Sequence, residues 1–389
     1  MSANLEASDP VMTTDRQDHL IGRVSGELAG PSLVVVGSIH GNEPAGAEAA
    51  RDVLEEIQRE SVPLRGDVTF LSGNMRALAR RVRYVDEDLN RHWTAKRVEA
   101  LATGRPDADV LSEDFDQREL YEELVAAQER ARGRVSVLDL HTSSSDSRPF
   151  VTLGDTLENR QFATRYPVPI VLGIEEQLDG TMLEYLNGAG VVTLGFEGGQ
   201  HYSPGSRENH VAAIWIALVA TGCVAEGDAP RYLERVTQLM GEGGGHEFVE
   251  VLYRHAVRPG DRFEMKPGFE NFSRVAKGAL LAHDWRGPIY APRGGMLLLP
   301  LYQRKGSDGF FIVRRVRPVW MRLSAMLRRL GAPSLMPLLP GVRRDLHDDT
   351  RLLVNTRVAK LLPLQVFHLL GYRKLRWADD LLVVSRRRR

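Results

Sequence analysis

Residues 32–40 read SLVVVGSIH and decide the fold class of this chain. The run is continuously apolar up to its glycine, which is typical of a strand buried on both faces of a sheet. Helix-like blocks rich in Ala, Glu and Leu separate this run from similar ones. The similar runs are DVTFLSG (67–73), RVSVLDLH (134–141), VPIVLGI (168–174) and GVVTLGFE (190–197). This alternation predicts an α/β domain with a mainly parallel or mixed sheet flanked by helices.

The sequence changes character along the chain, and these changes predict four segments. Residues 1–30 precede the first strand-like run and are expected to form an N-terminal extension. The α/β domain is expected over residues 31–240, and the following GEGGG run at 241–245 is typical of a linker. Short alternating segments punctuated by Gly and Pro predict a small all-β module over 246–317. Residues 318–389 place apolar residues at helical spacing beside arginines and predict a basic helical extension.

Composition excludes several classes of protein. The 389 residues include 51 Lys and Arg against 51 Asp and Glu, so the net charge is zero and we expect no nucleic-acid partner. Within that balance, residues 318–389 hold 15 basic and 5 acidic residues. The single Cys223 excludes an intramolecular disulfide. The chain starts without an apolar signal segment, and its longest apolar stretch (211–225) is too short to span a bilayer, so cytoplasmic localisation is expected.

The strongest candidate site begins in GSIHGNEPAG, where the first strand-like run ends. His40 and Glu43 form an H-x-x-E pair there, and of the 11 histidines only His40 has an acid three positions later. Imidazole and carboxylate are both zinc ligands, and a catalytic zinc commonly takes three protein ligands and a water. The flanking Gly37 and Gly41 would let the backbone pass close to a ligand. A surface loop with a chance His and Glu is the alternative interpretation.

Two other strand-like runs end in residues of the same chemistry. His141 ends one of them as His40 does, and it is the candidate third ligand. Asp139, two residues earlier, could orient a histidine by a hydrogen bond. Glu197 ends another run before two glycines, and a carboxylate beside a metal is a natural general base for water. The alternatives are a strand-end histidine with satisfied hydrogen bonds and an ordinary loop acid.

The segment RYVDEDLNRHW, residues 83–93, concentrates charged and amide side chains without an apolar face. Because arginine offers a planar fork to a carboxylate, this segment is a candidate anion-binding loop. A solvated charged loop is the alternative. The polar residues concerned are Arg83, Asp86, Asp88, Asn90 and Arg91.

The order of five motifs resembles the succinylglutamate desuccinylase/aspartoacylase family, which is related to the zinc carboxypeptidases. The motifs are GSIHGNEPAG, GNMRALA, RYVDEDLNR, LDLHTSS and GFEGG, and they lie within residues 31–215. The segment 270–301 also looks like the C-terminal module of that family. The resemblance implies a zinc-carboxypeptidase-like fold. It also implies a zinc-dependent amidohydrolase that cleaves the amide of an N-acyl amino acid, or of a similar small carboxylate, by metal-activated water.

The resemblance further implies roles for individual residues around a single zinc ion. His40, Glu43 and His141 match the zinc ligands of the family. Asp88 matches the acid that orients a zinc-binding histidine. Arg83 matches the arginine that polarises the scissile carbonyl and holds the oxyanion.

The remaining matches concern the substrate. Glu197 matches the general base, and Asn90 and Arg91 match the pair that holds the α-carboxylate of the substrate. Tyr302, in PLYQRKG, matches a substrate-contacting tyrosine from the C-terminal module. Between His141 and Glu197 no motif identifies the residues that select the acyl group or the amine, so both stay open.

Two other functions are compatible with the same sequence. A metallocarboxypeptidase or amidase on peptide or cell-wall fragments would use the same residues, and an open groove instead of a capped narrow pocket would favour it. The basic segment 318–389 has amphipathic spacing that is typical of helices on anionic membranes. It suggests either a peripheral membrane or interaction protein with an inert hydrolase domain, or a docking accessory to an active enzyme. A helical extension packed on the acidic body of the enzyme is the alternative for that segment.

Overall fold

The first strands and helices alternate as the apolar runs predict. The computed structural model describes residues 17–103, 111–241, 245–345, 348, 350–355, 358, 364–378 and 381–386. Its strands up to residue 316 are β1 (Leu20–Ser25), β2 (Leu28–Gly37), β3 (Arg65–Ser72), β4 (Val135–Ser143), β5 (Phe150–Thr152), β6 (Ile170–Leu172), β7 (Val192–Gln200), β8 (Phe248–Ala256), β9 (Glu264–Met265), β10 (Arg274–Val275), β11 (Leu280–Asp284), β12 (Gly287–Tyr290), β13 (Gly295–Leu298) and β14 (Asp308–Val316). The helices of the same region are α1 (Ala45–Arg59), α2 (Met75–Arg80), α3 (Ala95–Ala102), α4 (Ser112–Arg130), α5 (Leu157–Ala163), α6 (Met182–Gly188), α7 (Pro204–Thr221) and α8 (Tyr232–Met240).

One large sheet runs through the molecule in the order β1-β3-β2-β4-β7-β5-β6-β8-β14-β13-β10. Its central strands β3, β2, β4 and β7 are parallel to one another, and β5, β6 and β8 form a second parallel set. Antiparallel pairing joins the two sets through β5 and β7 and adds β1 at one edge. The predicted α/β fold with a mixed, centrally parallel sheet flanked by helices is confirmed.

Successive side chains of β2 lie in two different cores. Leu33 and Val35 pack with α1 and α7, whereas Val34 and Val36 pack with α4 and α6. All four side chains are fully buried. Since side chains alternate between the two faces of a strand and both faces are covered, the strand is apolar at four successive positions.

Both ends of the predicted α/β domain differ from its expected bounds. Strand β1 lies within the N-terminal extension expected over 1–30, and it pairs antiparallel with β3, so the sheet begins before residue 31. Residues 1–16 and most of the GEGGG linker lie outside the described residues. At the other end, β8 pairs in parallel with β6 and carries β14, β13 and β10 into the large sheet.

The segment expected to form a separate small β module is therefore continuous with the large sheet. Within the described residues from 245 to 316 it contains strands and no helix, in agreement with the all-β prediction. Strands β9, β11 and β12 form an additional three-stranded sheet. Strand β6 would otherwise expose unpaired backbone groups along one edge, and β8 satisfies them, which explains the continuity.

The prediction of a helical extension over 318–389 agrees with the structure up to residue 338. Beyond residue 341 the described residues form four strands and one short helix, so the prediction is wrong for most of that part. In β16, Leu352 and Val354 are buried on one face while their neighbours are more exposed, which is the period of two typical of a strand. The described elements are α9 (Pro318–Arg329), a 3-10 helix (Ala332–Leu338), β15 (Val342–Arg344), β16 (Arg351–Asn355), α10 (Leu364–Leu369), β17 (Tyr372–Ala378) and β18 (Leu381–Arg386). The four strands form an antiparallel sheet in the order β15-β16-β18-β17. Among the described residues, no helix is both long enough and apolar enough to cross a bilayer.

Candidate active site

Three predicted metal ligands converge at one edge of the large sheet. One donor atom each from His40, Glu43 and His141 lies within 4.8 Å of the other two, and the two imidazole ring centroids are 5.3 Å apart. Strands β2 and β4 are parallel neighbours, with Gly37 opposite Leu140, so both strands deliver their histidines to the same edge. We call these three side chains the central trio.

The turn after β2 brings His40 and Glu43 together. The Glu43 amide donates to the His40 carbonyl over 3.1 Å, which closes the turn just before α1. A Cβ at Gly41 would lie 2.1 Å from the carbonyl carbon of Ala77 in α2. The glycine is therefore needed for close packing of the chain on itself.

The Glu43 carboxylate is the common partner of both imidazoles. Its Oε1 lies 2.8 Å from His40 Nδ1, and its Oε2 lies 3.5 Å from His141 Nδ1. The same Oε2 accepts a 2.8 Å hydrogen bond from the Thr142 amide. Burial alone would raise the pKa of Glu43, but the charges and hydrogen bonds of the two histidines outweigh it and hold the pKa well below its usual value.

Each histidine has a second carboxylate on its outer nitrogen. Asp88 Oδ1 lies 3.2 Å from His40 Nε2, and Asp139 Oδ2 lies 2.8 Å from His141 Nε2. Both Nδ1 atoms are thus directed toward Glu43 while both Nε2 atoms are held from outside. Two imidazoles oriented in this way and one carboxylate form a donor set that fits a divalent zinc ion.

Arg83 lies across the central trio. Its Nε and Nη2 donate to Asp88 Oδ2 over 3.1 and 3.0 Å, and its Nη2 lies 2.8 Å from His40 Nε2. Burial alone would lower the pKa of the Arg83 guanidinium, but the Asp88 and Glu43 carboxylates raise it. The site therefore contains a fixed cation beside the candidate metal ligands.

Glu197 lies directly across the sheet from His141, as its register partner on β7. Its Oε2 is buried and has no hydrogen-bond partner among the residues that the structure describes. Desolvation raises the pKa of Glu197 to about 7 in spite of the nearby His141. Both residues lie inside their strands, because β4 continues to Ser143 and β7 to Gln200, beyond the ends that the sequence predicted.

The two residues predicted to hold a carboxylate lie in the wall of the cavity above the trio. Asn90 Oδ1 accepts a 3.0 Å hydrogen bond from the Met182 amide at the start of α6. Arg91 Nη2 pairs over 2.8 Å with Asp308 Oδ2, at the start of β14. Arg254 on β8 also pairs with Asp308, so two guanidinium groups share one carboxylate. Arg91 therefore already forms an ion pair with an acid of the segment 246–317, which we call the β segment.

The structure does not bring Tyr302 to the site. Its hydroxyl donates to the Lys266 carbonyl and accepts from the Phe269 amide, each over 2.9 Å. The adjacent residues Leu301 and Gln303 line the cavity instead. In extended chain a shift of one position turns a side chain to the opposite face, which explains why the match to the neighbouring residue failed.

The cavity has a volume of about 160 Å³ and is closed on one side by the β segment. That segment contributes the stretch between β13 and β14 together with one aromatic side chain of β14. The contributing residues are Leu299, Leu301, Gln303, Gly306, Ser307, Asp308 and Phe311.

Two residues of the site were missed by the sequence reasoning although one lay in a quoted motif. His201 directly follows β7, and its Nδ1 lies 2.8 Å from Thr142 Oγ1. Gln303 Oε1 lies 3.2 Å from His201 Nε2 and accepts a 2.8 Å hydrogen bond from Asn42. Burial lowers the pKa of His201. This bridge ties the β segment to the floor of the site.

A third missed residue, Glu113, holds the loop that carries Arg83 and Asp88. It is fully buried at the start of α4. Its carboxylate accepts hydrogen bonds from the amides of Val85 (2.7 Å), Asp86 (3.1 Å) and Glu87 (3.3 Å). No local sequence signal connects Glu113 to that loop, because the contact spans 26 or more positions.

Comparisons with known proteins identify similar sequences and a similar fold. Residues 29–212 match the family described as Succinylglutamate desuccinylase/Aspartoacylase catalytic domain. The chain is 25% identical over 278 residues to a succinylglutamate desuccinylase from Pseudoalteromonas atlantica, which covers 65% of this chain and 72% of that protein. It is 33% identical over 117 residues to an N-acyl-aromatic-L-amino acid amidohydrolase (carboxylate-forming) from Xenopus laevis, which covers 29% of this chain and 35% of that protein.

The chain also resembles a protein of known structure, but the share of each relative that it covers differs. The crystal structure of a succinylglutamate desuccinylase/aspartoacylase from Rhodobacter sphaeroides has a TM-score of 0.55 at 18% identity, and the match covers 76% of this chain and 88% of that chain. The chain spans only about a third of the Xenopus protein and of a Shewanella pealeana succinylglutamate desuccinylase. Five ordered motifs, a shared fold and a family model that matches residues 29–212, just under half of the chain, make this chain similar to the succinylglutamate desuccinylase/aspartoacylase family over its catalytic domain.

Proposed function

We propose that this chain is a zinc-dependent amidohydrolase that removes the acyl group from an N-acyl amino acid or a similar small carboxylate. The observation that carries the proposal is the convergence of His40, Glu43 and His141 within 4.8 Å of one another, with Glu197 as the register partner of His141. The names of two relatives, a desuccinylase and an N-acyl amino acid amidohydrolase, support the same reaction class.

The residues around the central trio divide the hydrolysis between them. His40, Glu43 and His141 would hold a divalent zinc ion, which would polarise the substrate carbonyl and make a water molecule more acidic. Glu197 lines the cavity, and its Oε2 has no hydrogen-bond partner among the described residues. It takes the proton from the attacking water and passes it to the leaving amine. The products are a free carboxylate and a free amino acid.

Charged side chains of the RYVDEDLNR loop complete the site. The Arg83 guanidinium stabilises the developing oxyanion. Its hydrogen bonds to Asp88 hold it in place before the reaction. Asn90 and Arg91 hold the substrate carboxylate and so orient the scissile amide. A substrate carboxylate at this position either shares the Arg91 guanidinium with Asp308 or displaces Asp308 from it.

The shape of the cavity favours a small substrate over a peptide. The β segment closes the cavity above the trio, and its volume of about 160 Å³ suits a compact acyl amino acid. An extended peptide needs an open groove on both sides of the scissile bond. All the residues expected to act in hydrolysis apart from Tyr302 line or support the cavity, which argues against an inert hydrolase domain.

The direct test is a turnover assay on the zinc-loaded full chain. The panel consists of N-acyl amino acids that vary in acyl group and amino acid, with acylated dipeptides as the comparison. We expect hydrolysis of at least one N-acyl amino acid, loss of activity with a chelator, and recovery when zinc is restored. Faster hydrolysis of the dipeptides would assign the chain to the carboxypeptidase or amidase class. Full activity of protein stripped of metal would contradict the proposal.

A further inference from the structure

Helix α9 packs on the enzyme with its polar face inward. Amphipathic helices on the surface of a globular protein normally bury their apolar face and expose the polar one. In α9, Ser324 and Arg328 are buried, with Arg328 only 8% exposed. By contrast, Trp320 is 52% exposed, Met326 is 50% exposed and Leu330, the residue that caps the helix, is 75% exposed. Met321 and Leu327 pack partly against neighbouring cores, but the apolar residues on the side opposite Arg328 face outward.

Hydrogen bonds fix the helix in this orientation. Arg328 donates to Asp155 Oδ2 over 2.8 Å and to the His368 carbonyl over 3.0 Å. Ser324 Oγ accepts from Arg160 over 3.1 Å and donates to the Leu369 carbonyl over 2.6 Å. Rotating the helix to bury its apolar side would break these bonds and strand a buried arginine, which is costly. The outward apolar face is therefore a stable property of the fold.

The exposed apolar residues form a continuous line along the helix. Val319, Leu323, Met326 and Leu330 follow one another at spacings of four, three and four residues, which places them on one face. Val319 is exposed and Leu323 is partly exposed. With about 3.6 residues per turn, this line lies on the side of the helix opposite Arg328. We call it the α9 stripe.

Arginines border the α9 stripe. Arg322 and Arg329 are exposed and lie about two turns apart on the same flank of the stripe. Arg317 is exposed just before the helix. Residues 318–389 together hold 15 basic and 5 acidic side chains. Guanidinium groups bind phosphate oxygens in a fork geometry, and tryptophan at the edge of an apolar surface is suited to the boundary between lipid and water.

We propose that α9 docks this enzyme on an anionic phospholipid surface. The helix lies in the plane of the membrane, with the α9 stripe in the boundary between headgroups and acyl chains and with Arg322 and Arg329 on lipid phosphates. Charge complementarity selects the lipid surface as the occupant, because an exposed apolar stripe runs beside exposed guanidinium groups along a helix of about 18 Å. The docking is peripheral and independent of hydrolysis.

The test is sedimentation of the full chain with vesicles of phosphatidylcholine alone and of phosphatidylcholine mixed with phosphatidylglycerol. We expect binding to the anionic vesicles only, weakening as salt is added. Met326→Ser with Leu330→Ser removes the centre of the stripe and should abolish binding. Arg322→Gln with Arg329→Gln should weaken it by about tenfold or more, with a shallower salt dependence.

A matched control comes from another exposed apolar and basic pair, at the tight turn between β11 and β12. Trp285 is 61% exposed, and the Arg286 guanidinium carbon lies 4.8 Å from its ring centroid. Trp285→Ser with Arg286→Gln should bind vesicles as the unaltered chain does. The proposal is contradicted if the stripe variant binds as well as the unaltered chain, or if the unaltered chain binds no vesicle. It is also contradicted if the stripe instead holds two copies together, seen as a dimer that the stripe variant loses while vesicle binding stays absent.

Discussion

Two buried groups of histidine and carboxylate side chains in the described residues bring three donor atoms within 4.8 Å, and they differ in how their charges are neutralised. One is the central trio. The other, which we call the edge trio, consists of His19, Asp116 and Glu119. In the edge trio, Arg76 Nη1 lies 3.2 Å from Asp116 Oδ1 and 3.2 Å from Glu119 Oε2, so one guanidinium group joins the two acids.

The nearest arginine of the central trio leaves the candidate ligands more open. Arg83 makes its shortest carboxylate contacts with Asp88, at 3.0 and 3.1 Å, and its contact with Glu43 is longer, at 3.4 Å. A divalent cation at the edge trio would lie against a guanidinium group that already compensates the same oxygens, and like charges at such distances repel strongly. In the central trio Arg83 also approaches His40 Nε2, at 2.8 Å, but the Nδ1 atoms of both histidines remain directed toward Glu43. The comparison suggests that a guanidinium group shared by both acids, as in the edge trio, opposes a metal ion more strongly than one held mainly by a neighbouring carboxylate.

The largest expected difference between the two trios is in kcat, and it concerns Glu197, the candidate general base beside the central trio. Glu197→Gln keeps the shape of the side chain but cannot accept a proton, so kcat should fall by about 10²–10⁴-fold while the zinc content stays unchanged. Glu119→Gln in the edge trio is the matched control, and it should leave kcat unchanged. Steady-state kinetics on the best N-acyl amino acid measure both. Equal kcat values for Glu197→Gln and the unaltered chain would remove Glu197 from the mechanism.

The next largest effect concerns Arg91, which, like Arg76, pairs with an acid but lines the cavity. Arg91→Ala should raise KM for a carboxylate substrate by about 10–100-fold with a smaller change in kcat, since it removes a charge-assisted hydrogen bond to bound substrate. Arg97, paired with Asp114 outside the cavity, is the control, and Arg97→Ala should leave KM unchanged. A KM that does not respond to Arg91→Ala would show that the carboxylate is held elsewhere.

Glu113 should have a smaller effect, because it acts on the central site through the loop that carries Arg83 and Asp88. Glu113→Gln retains the side-chain volume but replaces a charged acceptor of three loop amides, and kcat should fall by about tenfold with little change in KM. Glu119→Gln on the same helix should change neither parameter, and thermal unfolding should show that both variants fold. A Glu113→Gln enzyme whose KM rises while kcat stays constant would contradict this positioning role.

The smallest effect is on stability and belongs to the edge trio alone. Burial raises the pKa of Asp116 to about 6 from 3.8, although His19 and Arg76 partly offset it. A carboxyl whose folded pKa is raised contributes most stability below 3.8 and loses it as the pH rises to about 6. The free energy of unfolding of Asp116→Asn should therefore increase relative to the unaltered chain across this interval and level off above it. Urea unfolding over that pH range measures the difference, and a constant or decreasing difference would contradict the assignment.

Local pattern in the sequence was sufficient for the part of the site built on parallel strands. Continuous apolar runs locate the strands, and the rule that sites gather at their carboxyl ends brings His40, His141 and Glu197 together. Tyr302 could not be placed in this way, because a shift of one residue in extended chain reverses the direction of a side chain. Glu113 and Asp308 could not be found either, since each acts through contacts between residues distant in the sequence.

In the C-terminal segment, too, local pattern predicted some elements, and contacts between distant residues decided the others. Helix α9 was predictable from its spacing, but which side it buries depends on Asp155 and Arg160 of the catalytic domain. The strands after residue 341 carry short apolar alternations between many arginines. A basic and leucine-rich composition favours a helix there, but antiparallel pairing between β16 and β18 stabilises a sheet instead.

The metal content of purified variants tests the central claim most directly. Inductively coupled plasma mass spectrometry on the unaltered chain, His141→Ala and His19→Ala compares the two trios in one experiment. The account predicts about one zinc per chain in the unaltered protein and in His19→Ala, and loss of the metal in His141→Ala. Full zinc occupancy in His141→Ala, or loss of zinc in folded His19→Ala, would contradict it.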